Sequence, residues 1–89
     1  MIGEVVKEQW FLIPNTANVL KIKVLRRGSE DYLCYTNYRI NYPNAPNYYR
    51  GEGGGETVEK ALENVIQNFM NVWKSVKQDK TKLVPNKEY

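Results

Sequence analysis

The side chains that carry out most enzyme chemistry are scarce in this chain. There is no histidine, which removes the commonest general base and the commonest metal ligand. The serines are Ser29 and Ser75, the aspartates Asp31 and Asp79, and the single cysteine is Cys34. No Ser-His, Cys-His or Cys-Cys constellation can be assembled within one chain from this set. Glutamate, lysine and tyrosine remain available for catalysis, yet no spacing among them marks a site. The expectation is a protein that is not an enzyme and uses no cofactor or metal. Cys34 falls among inward-facing strand positions and reads as a small core residue rather than a reactive thiol.

The stretch "RGEGGGETVEK" (residues 50–60) places glycines ahead of a helix start. A phosphate loop offers backbone N–H groups at a helix N-terminus and usually a lysine. Here the Gly-Lys-Ser/Thr ending is missing, and Gly-x-Gly-x-x-Gly fails because its sixth position is Glu56. Glu52, Glu56 and Glu59 would repel an anion. The stretch reads as a flexible connector followed by a helix cap, with a lid or binding loop as the other use of such glycines.

Binding chemistry is better supplied. Lys21, Lys23, Tyr35 and Arg39 fall at positions that place them on the sheet face opposite the helix. Arg26, Arg27, Tyr48, Tyr49 and Arg50 fall in adjoining turns. Tyrosine and arginine are enriched in protein interfaces, which makes Tyr35, Arg39, Tyr48, Tyr49 and Arg50 the candidate partner-binding set. Basic and aromatic side chains on an open sheet also suit single-stranded nucleic acid, with charge on the backbone and rings on the bases. Lys21, Lys23, Arg26, Arg27 and Arg39 are the candidates for that role. The third reading is ordinary: tyrosines that fill a small core and lysines that are solvated.

These residues sit on elements with clear periods. "EQWFLIPN" (residues 8–15) is a short aromatic run ended by Pro14, a strand by length. "NVLKIKVLRRG" alternates, with Leu20, Ile22 and Val24 on one side and Lys21, Lys23 and Leu25 on the other. "GSED" joins it to "DYLCYTNYRINY" as a hairpin, with Gly28 free to take positive φ. In that long strand Tyr32, Cys34, Thr36, Tyr38, Ile40 and Tyr42 share one face and Leu33, Tyr35, Asn37, Arg39 and Asn41 the other. Pro43 ends it. From Val58 the period changes to 3.6, and Val58, Ala61, Leu62, Val65, Ile66, Phe69, Met70, Trp73 and Val76 form one apolar stripe. Thr57 is the natural N-cap, and lysines 74, 77 and 80 suit the C-terminal end of the dipole. "KLV" (residues 82–84) is available as one more short strand.

The order is therefore β-β-β-α with room for a short fourth strand. The helix stripe must cover one sheet face, which predicts a two-layer α+β fold: an antiparallel three-stranded sheet packed by one long C-terminal helix. With 89 residues the expectation is a single domain spanning 1–89, with 80–89 a tail or short edge strand. A core this small is marginal, and oligomerisation commonly adds stability. The net charge of +3 and pI near 9.0 permit nucleic-acid contact without demanding it. No apolar run approaches the roughly 20 residues of a membrane helix, and the first fifteen residues lack a signal-peptide core. One cysteine fits a reducing cytosol. The Asn, Lys and Tyr content would suit a phage or mobile-element gene.

Residues 38–69 resemble the HicB-like antitoxin family. There, a strand ends in an aromatic-Pro-Asp-x-Pro-Gly segment, and a short connection leads to Gly-Asp-Thr-x-x-Glu-Ala-x-x-Asn at a helix start. Here the strand end is Tyr42-Pro43-Asn44-Ala45-Pro46-Asn47. The helix start is Gly55-Glu56-Thr57-Val58-Glu59-Lys60-Ala61-Leu62-Glu63-Asn64. The resemblance implies a β-β-β-α-β fold, cytosolic residence, homo-oligomers and the blocking of a small RNA-cleaving toxin. This chain departs from the pattern at Asn44 and Asn47, carries extra residues 50–54, and shows no segment for the DNA-binding domain of many members. The functional expectation is a small non-catalytic binding module that sequesters or blocks a toxin nuclease or defence factor. Its alternatives are a single-strand nucleic-acid binder and a phage-type sequestering protein with a small-ligand pocket between subunits.

Overall fold

Alternation with a period of two builds the first sheet. The structure is a computed structural model that describes residues 4–41 and 51–89. Strand β1 (Glu4–Leu12) pairs antiparallel with β2 (Val19–Gly28), and β2 with β3 (Asp31–Thr36). Leu20, Ile22 and Val24 of β2 and Cys34 and Thr36 of β3 are fully buried on one face. The first strand starts four residues earlier than the "EQWFLIPN" run suggests. Gly28 ends β2 without positive φ; Gly51 is the glycine that adopts it among the described residues, at 86°.

The long tyrosine-rich strand divides in two. The Asn37 N–H still donates to the Lys21 carbonyl at 3.0 Å, and beyond it the backbone leaves β2 while the Asn37 side chain extends the pairing. Asn37 Oδ1 accepts from the Lys21 N–H at 2.7 Å, and its Nδ2 donates to the Val19 carbonyl at 3.0 Å. Strand β4 (Tyr38–Ile40) then joins a separate ribbon. Its partner, β6 (Leu83–Pro85), is the short strand suggested by "KLV" and follows a 3-10 turn over Lys80–Lys82.

The glycine-rich stretch is not a flexible connector. It is a fourth strand of the main sheet, β5 (Glu52–Gly55), antiparallel to β3, giving the order β1-β2-β3-β5. The reason lies in the helix above it. On Gly55 a Cβ would stand 2.7 Å from the Ala61 backbone nitrogen, and on Gly53 it would stand 3.2 Å from Val65 Cβ. Strand glycines are expected where another backbone approaches this closely. Asn64 Nδ2 donates to the Gly54 carbonyl at 2.9 Å and pins the helix to the strand.

Helix α1 (Val58–Ser75) begins at Thr57, whose hydroxyl accepts from the Lys60 N–H at 3.0 Å. Its buried stripe is Ala61, Leu62, Val65, Phe69 and Trp73. It faces Ile13, Leu20, Ile22, Val24, Cys34 and Ile40 in one core. Trp73 reaches furthest, donating Nε1 to the Pro14 carbonyl at 3.0 Å, so the β1–β2 turn plugs the end of the core. The result is a two-layer α+β fold with an antiparallel sheet packed against one helix. No helix among the described residues is long and apolar enough to cross a membrane.

Candidate functional site

The uncovered face of the sheet can be read across its rows. In the middle row the register is Glu8–Lys23–Tyr35–Glu52 from β1 to β5. Beside it runs an apolar row, Val5–Leu25–Leu33–Gly54. At the other end Trp10 pairs with Lys21 and Leu12 with Val19. Acid, base and ring alternate on this face, so it is not a continuous basic surface.

The C-terminal residues cross the middle row. Asn86, nearly buried, holds them there. Its Nδ2 donates to the carbonyls of Thr36 at 2.8 Å and Gly51 at 3.1 Å, and its backbone N–H donates to the Asn37 carbonyl at 2.8 Å. Its Oδ1 accepts from the Glu88 N–H at 3.1 Å. Gly51 makes this possible: a Cβ there would stand 2.4 Å from Asn86 Nδ2. Lys23 donates to the Tyr89 backbone oxygen and lies 4.6 Å above the Tyr89 ring. Burial, with Glu8 nearby, raises the Tyr89 phenol above its ordinary pKa.

Where the tail, β3, β4 and β5 meet, an open cleft of about 210 Å³ is lined by Tyr35, Arg39, Glu52, Asn86 and Glu88. Two residues singled out from sequence, Tyr35 and Arg39, therefore come together. Arg39 does so from β4, outside the main sheet, because the alternation survives the break at Asn37. Behind it a second cleft of about 170 Å³ is bounded by Arg39, Ile40, Asn41 and Val84. Arg39 is exposed and stands between the two. Tyr48, Tyr49 and Arg50 lie outside the described residues.

The basic set is scattered. Lys21 sits 5.0 Å from the Trp10 ring, and Lys23 is engaged by Tyr89. Arg26 and Arg27 lie in β2 rather than in a turn. Arg27 pairs with Asp31 at 2.9 Å, a hydrogen-bonded contact that raises its pKa. Arg26 is opposite Tyr32 in register, on the parity of the helix side. Cys34 is fully buried, and desolvation pushes its thiol up to about 11. Among the described residues no group of three or more acidic or cysteine side chains is placed to hold a metal ion.

Sequence reasoning missed Glu52, Asn86 and Glu88, which reach the cleft from the glycine stretch and the tail. It also missed the exposure of β1, where Val5, Val6, Trp10 and Leu12 are 41–63% exposed. The signal for that was present: Lys7, Gln9 and Phe11 share the helix-side parity, and a strand with two polar residues there has no helix over it. No protein-family model matches the chain, and neither the curated proteins nor the solved structures give a significant match to it.

Proposed function

We propose that this chain is a non-catalytic binding module that engages a partner protein at the Tyr35–Arg39 cleft. The observation that carries the reading is the cleft itself: an exposed arginine and a half-buried tyrosine on a floor fixed by Asn86. Arginine and tyrosine are the side chains that anchor interfaces when a rigid frame presents them. Glu52 and Glu88 flank Arg39, so the surface offers both charges to a polar partner rather than one sign to a polyanion. The absence of histidine and the buried, protonated Cys34 support a role without chemistry. Read with the HicB-like resemblance, the module acts by covering a small toxin nuclease or defence factor.

The test is a protein capture from cells of the native host, run with wild type, Arg39→Glu and Lys21→Ala. A specific protein held by wild type and Lys21→Ala, and lost at least about tenfold with Arg39→Glu, is the expected result. Equal capture by all three sinks the reading. The nucleic-acid alternative predicts binding of a short single-stranded oligonucleotide that falls steeply with salt through counterion release. The interleaved Glu8, Glu52 and Glu88 and the engaged Lys23 argue against it.

A further inference from the structure

The main sheet ends in two edge strands among the described residues, the four-residue β5 and the nine-residue β1. Strand β1 is the last strand in the order β1-β2-β3-β5, so one side of its backbone has no neighbour among the described residues. The helix does not reach over it, and eight of its nine residues are exposed. Val5 is 51%, Trp10 63% and Leu12 59% exposed, with Val19 beside them at 38%. Natural edge strands are usually short, charged, bulged or covered, because a long apolar edge pairs with whatever strand it meets. A bulge at Val6 protects the first end of β1, where the register shifts between Val5 and Lys7. Residues 7–12 run on regularly and carry Lys7 as their only cation.

We propose that two copies of this chain pair antiparallel through β1, about a two-fold axis at Gln9, to form one continuous eight-stranded sheet. The surface is separate from the Tyr35–Arg39 cleft and does not depend on its role. Charge selects the register. A two-fold pairing must bring residues of the same face together. An axis at Lys7 or at Glu8 sets like charges directly opposite each other, which is destabilising. An axis at Trp10 sets each Glu8 against Leu12 of the second copy, with no cation. An axis at Gln9 sets each Glu8 against the second copy's Trp10, whose ring already carries a Lys21 ammonium at 5.0 Å. Each indole then lies between its own lysine and the other copy's glutamate. Lys7 meets Phe11 on the helix side.

The contact is isologous, so it closes at two copies. Residues 7–11 of each chain form the backbone ladder, and Val6, Leu12 and Val19 extend it with apolar surface. The five paired residues span about 17 Å at ~3.4 Å per residue, a short ladder whose affinity rests on the Trp10 and Leu12 side chains beside it.

The first experiment is sedimentation equilibrium across a wide concentration range, with wild type, Trp10→Glu and Glu8→Lys. Wild type is expected at twice the 10.4 kDa of one chain. Both variants are expected to raise the dissociation constant about tenfold or more, with an unchanged far-ultraviolet circular dichroism spectrum showing that they fold. The second experiment fixes the register. At the axis, opposed Cα atoms lie ~4.5–5.5 Å apart, within disulfide range. Gln9→Cys is therefore expected to form an interchain disulfide under mild oxidation, while Lys7→Cys, set four positions from its own copy, does not. Cys34 is buried and does not compete. A wild type that stays monomeric at every concentration overturns the proposal. So does a dimer that cross-links at Lys7→Cys and not at Gln9→Cys.

Discussion

The two ends of the main sheet are built by opposite means. At the β5 end the strand has almost no side chains, and the helix lies so close that a single Cβ at Gly55 has no room. At the β1 end the strand carries tryptophan, leucine and valines that stay exposed among the described residues, with Phe11 alone packed against the core. Apolar content therefore does not say which strand is covered. The covered strand is the one whose side chains have been removed to let a helix approach, and the apolar one stands in solvent. The glycine end is fixed by close backbone approach, and the β1 end keeps its apolar side chains in solvent.

Substitutions should separate the two ends. Gly55→Ala should cost most, about 3 kcal/mol, because overpacking here pushes against helix backbone rather than a side chain that can turn away. Chemical denaturation measures it, and a loss below about 1 kcal/mol would mean that the helix can lift. Asn86→Ala should cost about 2 kcal/mol, since the carbonyls of Thr36 and Gly51 lose their buried donor. It should also loosen the tail against limited proteolysis at residues 87–89. Between these lies a pH effect at the core face of β3. The Cys34 thiol is raised from 9.0 to about 11 in the fold, so the unfolded chain loses its proton first. The Cys34 contribution should be constant below pH 9 and should be lost as pH rises from 9 toward 11. Cys34→Ala should remove that part of the slope, and iodoacetamide at pH 8 should leave the folded thiol unmodified. The smallest effect belongs to the β1 end. Trp10→Ala, measured on dilute monomer, should shift stability by no more than about 0.5 kcal/mol, as surface changes do. A large loss there would mean that β1 is held by contacts within one chain, and the contrast between the two ends would fail.

The sequence shows the periodic elements plainly. The strands around Leu20–Val24 and Tyr32–Thr36 and the helix from Val58 follow from apolar spacing, and Thr57 marks the helix start. What it hides is where side chains act in place of backbone or are absent. "EGGG" has no apolar period, so β5 is invisible until the helix is placed above it. Asn37 reads as one more residue of an unbroken strand, because the side-chain bonds by which it extends the ladder to Lys21 and Val19 are a matter of geometry. Tyr35 and Arg39 were legible as a pair because parity carries across that break. Glu52 reaches the cleft from the glycine stretch and Asn86 and Glu88 from the tail, where Asn86 bonds Gly51 and Thr36, 35 and 50 residues away, and local pattern says nothing of such meetings.

Asn86 also sets an order of events in folding. Its amide needs the carbonyls of Thr36 and Gly51, which stand side by side only after β5 has docked on β3 and the Thr36 N–H has met the Gly51 carbonyl at 3.0 Å. Closing contacts of this sequence separation is entropically late. The β4–β6 ribbon and the residues beyond it should therefore assemble last on a finished sheet and open first from it. In amide hydrogen exchange, the Asn86 and Asn41 N–H groups would exchange through a partial opening, well before those of Ile22 and Val24.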